Sequence, residues 1–238
     1  MRRPSGGRSV SDERHSDADA PSLIADEEER AKKEASNAID QFDRVLDYID
    51  DVERGGRQFR LRVSVIQELH RMALDGLSAY AGNWRPGAVR IGLSDHAPPG
   101  AYQVAGLMEE MCDWVMDRWQ SASPITLCAY VMWRLNWIHP FDDGNGRTSR
   151  AVAYLVLCAA AGHRFPGRVT IPELIAADKR PYYETLEAID ASAKEGEPDL
   201  APMKALLEGY LAKQLADAFE TASREPAGEP SAEWRKLH

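Results

Sequence analysis

Residues 139–150 read His-Pro-Phe-Asp-Asp-Gly-Asn-Gly-Arg-Thr-Ser-Arg and lie between two apolar helical stretches, 131–138 and 151–157. This run constrains the fold more than any other part of the chain. It predicts a helix, a tight loop, and a second helix whose N-terminus opens in that loop. It gathers one base that titrates near neutrality, a carboxylate, a glycine-bracketed asparagine and two arginines. That inventory suits a metal-bound polyphosphate attacked by a nucleophile.

Each residue type has a physical reason to be there. Gly144 and Gly146 permit unusual dihedrals and close approach to a ligand. The backbone N–H groups from about Gly144 onward fall in the first turn of the second helix, where unpaired donors and the helix dipole attract anions. Arg147 and Arg150 are three apart and share a helix face. Their guanidinium groups can fork onto phosphate oxygens. Asp143 offers a hard oxygen suited to a magnesium ion that keeps its waters and also takes phosphate oxygens. His139, at the end of the first helix, is the natural general base for a hydroxyl nucleophile. Taken singly, these residues have plainer readings: a helix-end histidine as a cap or core residue, Asp-Gly-Asn-Gly as a turn. A calcium loop would need alternating acidic ligands and a terminal glutamate, which the run lacks.

The run matches His-Pro-Phe-x-(Asp/Glu)-Gly-Asn-Gly-Arg-x-x-Arg at every fixed position, and in this the chain resembles the Fic family. The resemblance implies an all-α fold, a helical bundle with a short β-hairpin flap over the active site. It also implies transfer of AMP from MgATP to a Ser, Thr or Tyr hydroxyl of a target protein, with release of pyrophosphate. On that pattern His139 deprotonates the hydroxyl and Asp143 holds Mg²⁺ between the α- and β-phosphates. Asn145 and the amides of Gly144 and Gly146 hold the α-phosphate, Arg147 the β-phosphate and Arg150 the γ-phosphate. Phe141 points inward and anchors the loop.

Two further segments extend the resemblance. Val89-Arg90-Ile91 alternates as a strand does and is flanked by Pro and Gly. It resembles the flap, whose unpaired edge can align a target segment by strand addition; the alternative is an ordinary surface hairpin or loop. Arg180-Pro181-Tyr182-Tyr183-Glu184-Thr185-Leu186 resembles the family's Tyr-Tyr-x-x-Leu stretch. Tyr183 is the candidate for stacking on adenine, with helical core packing the alternative for either tyrosine. The lead-in to the last core helix is matched from Glu197, so the resemblance covers roughly residues 60–220.

Many Fic proteins carry an inhibitory helix with Ser/Thr-x-x-x-Glu-Gly/Asn, whose glutamate pairs with the second arginine of the signature. Glu34-Ala35-Ser36-Asn37-Ala38-Ile39-Asp40-Gln41 resembles it, with Ser36 matching, Asp40 in place of the glutamate and Gln41 in place of Gly or Asn. Aspartate is one methylene shorter, about 1.5 Å of reach. Three readings follow: weak autoinhibition, a helix seated closer, or a plain amphipathic helix.

The chain has 238 residues, with 44% hydrophobic residues and a net charge of −9. This suits one domain with tails, argues against a broad nucleic-acid surface, and fits a protein that is cytoplasmic or delivered to another cell's cytoplasm by a route the sequence does not show. Residues 1–23 read as a disordered tail, 24–56 as an N-terminal helix, 57–223 as the catalytic domain and 224–238 as a flexible tail. Cys112, Cys128 and Cys158 fall in apolar helical stretches without metal spacing and read as buried free thiols. No segment is long and apolar enough to span a bilayer. The expected partners are ATP and a protein substrate, with a homodimer left open. Two alternatives share the inventory. One is transfer of another nucleotide or phosphate-linked group, although the retained Gly146 separates this chain from the kinase-like relatives of Doc toxins, which carry Lys there. The other is a nucleotide-responsive, partner-binding protein with little catalysis.

Overall fold

A computed structural model describes residues 23–55, 58–92, 94 and 96–224, together with the backbone of residues 16 and 17. The chain order is β1 (Ser16–Asp17), α1 (Glu27–Glu53), α2 (Val63–Leu74), β2 (Arg90–Ile91), α3 (Val104–Asp117), α4 (Pro124–Ile138), α5 (Asn145–Ala161), α6 (Ile171–Ala177), α7 (Arg180–Glu195) and α8 (Ala201–Arg224). The expected all-α architecture is present. Residues 1–15, 18–22 and 225–238, most of the two expected tails, lie outside the described residues.

The two helices predicted to flank the loop are the centre of the molecule. α4 and α5 pack most extensively on each other, with α3, α7 and α8 against α4 and α1, α2 and α6 against α5. Both are buried on nearly every face, so neither shows the one-sided apolar stripe of a surface helix. Ser123 caps α4 by accepting the Thr126 N–H at 3.2 Å, with Pro124 at the first helical position. Gly162 ends α5 in a left-handed conformation at φ 79°. Thr170 and Glu173 form the expected capping box of α6.

α1 docks through a stripe of four residues spaced four apart: Asn37, Gln41, Val45 and Ile49. The lower two are apolar and join the core. The upper two donate their amides to carbonyls at the end of α2: Asn37 to Asp75 at 2.8 Å and Gln41 to Leu69 at 2.9 Å. Asp75 lies just past α2, where carbonyls lack intrahelical partners, and the two amides together fix α1 against that end of the helix. The rotation of α1 is thereby set, which decides what its N-terminal turns present to the loop.

Two expectations need correction. β2 does form at the flap position, with Arg90 exposed and Val89 and Ile91 buried. Among the described residues its partner is a segment well before it in the chain. It pairs antiparallel with β1, Ser16 opposite Ile91 and Asp17 opposite Arg90. Part of the stretch read as a disordered tail is therefore a strand. A two-residue strand offers few ladder bonds of its own.

The three cysteines are buried and free. Burial pushes the Cys112 thiol up to about 12 and the Cys158 thiol to about 11, which leaves them as inert apolar side chains. No helix among the described residues is long and apolar enough to cross a membrane.

Candidate functional site

His139 follows the last turn of α4 in a left-handed conformation (φ 50°, ψ 58°), the only non-glycine residue with positive φ among those described. That conformation costs roughly 1–2 kcal/mol for a residue with a Cβ, so it needs support. The His139 N–H donates to Leu135 at 2.9 Å, and its carbonyl accepts from Arg85 Nε at 2.8 Å. Arg85 is 3% exposed. It also donates from Nη1 to the Gly87 carbonyl at 2.7 Å and from Nη2 to the Pro99 carbonyl. One buried guanidinium thus ties the turn at His139 to both ends of the flap segment. Burial pulls its pKa below the ordinary arginine value. The His139 ring sets Nδ1 3.3 Å from the Asn136 carbonyl. A carbonyl can only accept, so Nδ1 carries the proton and Nε2 holds the basic lone pair.

The loop that follows is braced from inside. Phe141 is fully buried and stacks on His70, ring centroids 3.5 Å apart and planes 6° from parallel. His70 Nδ1 accepts the Gly82 N–H at 2.9 Å, which leaves Nε2 to donate to the Asp143 carbonyl at 3.0 Å. Both ring nitrogens are used by a neutral imidazole, and burial pushes its pKa down from 6.5 to about 4. Asn145 turns its amide back on the loop: Oδ1 accepts the Phe141 N–H at 3.0 Å and Nδ2 donates to the Phe141 carbonyl at 2.9 Å. These two bonds close the loop, and Asn145 also lines the cavity described next. Gly144 sits at φ 73°, and a Cβ there would lie 2.3 Å from Leu74 Cδ2. The glycine is required by both backbone and packing.

These braces aim the start of α5 into a cavity of about 380 Å³. His139, Asp143, Gly144, Gly146, Arg147 and Arg150 line it, with Tyr183, Lys179 and the flap residue Ile91. Tyr182, by contrast, is fully buried and takes the Asn136 amide on its hydroxyl at 2.7 Å. Of the two tyrosines only Tyr183 has a face for a ligand. Val89 and Arg90, which precede Ile91, are not in the cavity lining. Arg150 has no carboxylate partner among the described residues; burial, the main cause, draws its pKa below the usual arginine range.

α1 also reaches the cavity, though not through the residues expected. Ser36 and Asp40 are exposed, and Asp40 lies in a surface depression with Asp43, Arg44 and Asp75. The residues that line the cavity are Arg30 and Glu34, four apart on the face set by Asn37 and Gln41. At about 100° per residue, positions 36 and 40 fall about 120° around the helix from 30 and 34. Glu34 lies 3.2 Å from Arg30 and 3.7 Å from Arg147, and Arg30 lies 3.6 Å from Asp143, which is itself 3.3 Å from Arg147. On α1 the residues beside the loop are thus Arg30 and Glu34, in a ring of ion pairs with Asp143 and Arg147, while Ser36 and Asp40 lie away from the cavity lining.

Residues 60–157 match the model of the Fic/DOC family. Over these residues the chain is similar to Fic domains. Proteins named protein adenylyltransferase Fic are similar to it: that of Drosophila willistoni is 35% identical over 106 residues, 44% of this chain and 21% of the relative. That of Nematostella vectensis is 33% identical over 129 residues, 53% of this chain and 28% of the relative. The chain therefore spans under a third of these curated relatives. Among solved structures, a Fic domain-containing signaling protein from Bacteroides thetaiotaomicron superposes with a TM-score of 0.65 at 22% identity, covering 83% of this chain and 75% of the other. Fic-1 from C. elegans gives a TM-score of 0.63 at 22% identity, covering 85% and 55%. These likenesses establish the Fic fold.

Within this Fic-like region the signature residues from His139 to Arg150 do converge on one cavity. His70, Arg85, Arg30, Glu34 and Lys179 were not singled out from the sequence. His70 and Arg85 lie in segments with no motif of their own. Glu34 was visible within the N-terminal helix, and only the helix rotation shows that it, rather than Asp40, faces the loop.

Proposed function

We propose that the chain is a protein adenylyltransferase, moving AMP from ATP to a hydroxyl of a protein target. One observation carries the proposal. A histidine with its basic nitrogen selected, the glycine-lined start of α5 and an arginine without a carboxylate counter-ion all meet in one cavity. A buried cation without a partner is costly, and a bound phosphate removes that cost.

In this reading the target hydroxyl gives its proton to His139 Nε2 while its oxygen attacks the α-phosphorus. The bond from the α-phosphorus to the bridging oxygen breaks, and pyrophosphate leaves. The α5 N-terminus, Arg147 and Arg150 hold the phosphate oxygens, so catalysis is chiefly positioning and charge stabilisation. Tyr183 offers its face to the base. Among the described residues no group of three or more ligating side chains could hold a metal by itself. Asp143, a single partly exposed carboxylate at the cavity, instead fits an ion that brings phosphate and water ligands with it. When bound there, Mg²⁺ would neutralise phosphate charge and fix the phosphate geometry. The ring of α1 ion pairs has to open for that binding.

Incubation of the full chain with α-labelled ATP and a cell lysate tests the proposal, with intact-mass analysis of the enzyme itself. Labelled protein is expected, and His139→Ala should abolish the label. Parallel binding of UTP, GTP and CTP determines whether another nucleotide is preferred. Equal labelling by wild type and His139→Ala would remove His139 from its role. Absence of nucleotide binding would remove the proposal.

A further inference from the structure

Four cations line the main cavity: Arg30, Arg147, Arg150 and Lys179, against two carboxylates, Glu34 and Asp143. The chain as a whole carries −9, so this local surplus of positive charge runs against the molecule's balance. The mechanism above uses the two signature arginines and leaves Lys179 without a task.

Lys179 is placed where a lysine is electrostatically uncomfortable. It immediately precedes α7, at a helix N-terminus, where the dipole disfavours positive charge. It is partly buried, and its side chain makes no hydrogen bond or ion pair among the described residues. The neighbouring charges are already engaged: Asp178 accepts the Arg180 N–H at 3.1 Å, Arg180 pairs with Glu184 at 3.0 Å, and Glu34 is taken by Arg30 and Arg147. Burial first, then Arg150 and Arg147, pull the Lys179 ammonium below its ordinary range, with Glu34 opposing.

Lys179 lies close enough to Arg150 and Arg147 to feel their charge, on the α6 side of the two arginines. A second depression, beside the first, is lined by Arg147 and Arg150 together with Pro172, Glu173 and Ala176 of α6. The α6–α7 side therefore flanks the two arginines, whereas His139 enters from α4. The Lys179 carbonyl accepts the Tyr183 N–H at 3.0 Å, so the lysine lies one helical turn from the tyrosine that faces the cavity.

Resting on the nucleotide reading given above, we infer that Lys179 is a third phosphate-binding cation, which takes the terminal phosphates of a nucleoside triphosphate at the end of the cavity remote from His139. It makes the site selective for the triphosphate over the monophosphate. The reacting α-phosphate belongs to the loop, and Lys179 contributes grip and selectivity without touching the reacting atoms.

The test is equilibrium binding of ATP, AMP and inorganic tripolyphosphate to the full chain, as wild type, Lys179→Met and Lys179→Arg. A charge-assisted hydrogen bond to phosphate predicts a loss of about tenfold or more for ATP and tripolyphosphate in Lys179→Met. AMP affinity should change less than about twofold, and Lys179→Arg should restore most of the ATP affinity. An unchanged ATP affinity in Lys179→Met, or an equal loss for AMP, overturns the inference while leaving the nucleotide reading standing. A wild-type chain that binds none of the three ligands overturns both. A purely structural effect would lower all affinities together, so the ATP-to-AMP ratio is the deciding quantity.

Discussion

Arg85 Nε donates to the carbonyl of His139 at 2.8 Å, and through that bond the flap and the candidate base are one unit. The same guanidinium serves Gly87 and Pro99. Lysine can reach about one of these three carbonyls. Arg85→Lys is expected to lower the rate of AMP transfer by about tenfold or more while ATP affinity stays within a few-fold. Each buried carbonyl left unmet costs about 1–3 kcal/mol, and in a domain of this size each kcal/mol lowers the unfolding midpoint by about 2–4 °C. A calorimetric midpoint and a transfer rate measured on the same sample check the prediction. Wild-type values for both would detach Arg85 from the site.

His70 gives a pH dependence with a definite sign. Its folded-state pKa lies near 4 and its ordinary value is 6.5, so between these limits the unfolded chain binds more protons than the folded one. Stability contributed by the neutral ring is fully present above about 6.5 and declines as pH falls toward 4. The loss amounts to about 3 kcal/mol across that window. Urea unfolding followed at several pH values in wild type and His70→Gln should show a slope in the first that is reduced in the second. Parallel curves would mean that another group carries the effect.

Gly144→Ala combines a strained backbone with a clash against Leu74. The left-handed conformation alone costs about 1–2 kcal/mol. Trimming Leu74 to Ala relieves the contact but leaves the strain and opens a void. The double variant is therefore expected to recover only part of what Gly144→Ala loses relative to the Leu74→Ala background. A double-mutant cycle on unfolding free energy measures the coupling, and strict additivity of the two changes would contradict the packing described.

Glu34 and Asp40 make opposite predictions from one helix. Glu34 lies 3.7 Å from Arg147, with side chains about a third exposed, so the pair is worth at most about 1 kcal/mol. Glu34→Gln should raise ATP affinity by a few-fold, since a phosphate no longer competes with a carboxylate. Asp40→Asn should leave it unchanged. An increase with Asp40→Asn and none with Glu34→Gln would reinstate the alignment drawn from the sequence.

What was legible in the sequence was whatever is encoded locally. The loop from His139 to Arg150 is a run of neighbours whose side chains meet by short-range geometry, and the caps at Ser123, Gly162 and Thr170 act over three or four residues. The contacts between distant segments were not legible. His70 meets Asp143 across 73 positions and Arg85 meets His139 across 54, and neither has a periodic pattern to betray it. The flap illustrates a middle case. Alternation located the strand at Arg90 and Ile91, but only the fold shows which strand lies beside it. The placement of Asp40 is a matter of rotation: spacing within a helix fixes which residues share a face, while the direction of that face depends on what the Asn37 and Gln41 amides find on α2.

The pairing of β1 with β2 gives any incoming protein a rival. The rival strand is tethered to α1 through residues 18–26, and a short tether holds its effective concentration at about a millimolar. A foreign segment that relies on backbone ladder bonds alone, with affinity weaker than that, would be outcompeted by the chain's own terminus. On the proposed reading, a protein target would then need grip from elsewhere on its surface, and recognition would be set by contacts lying outside the strand.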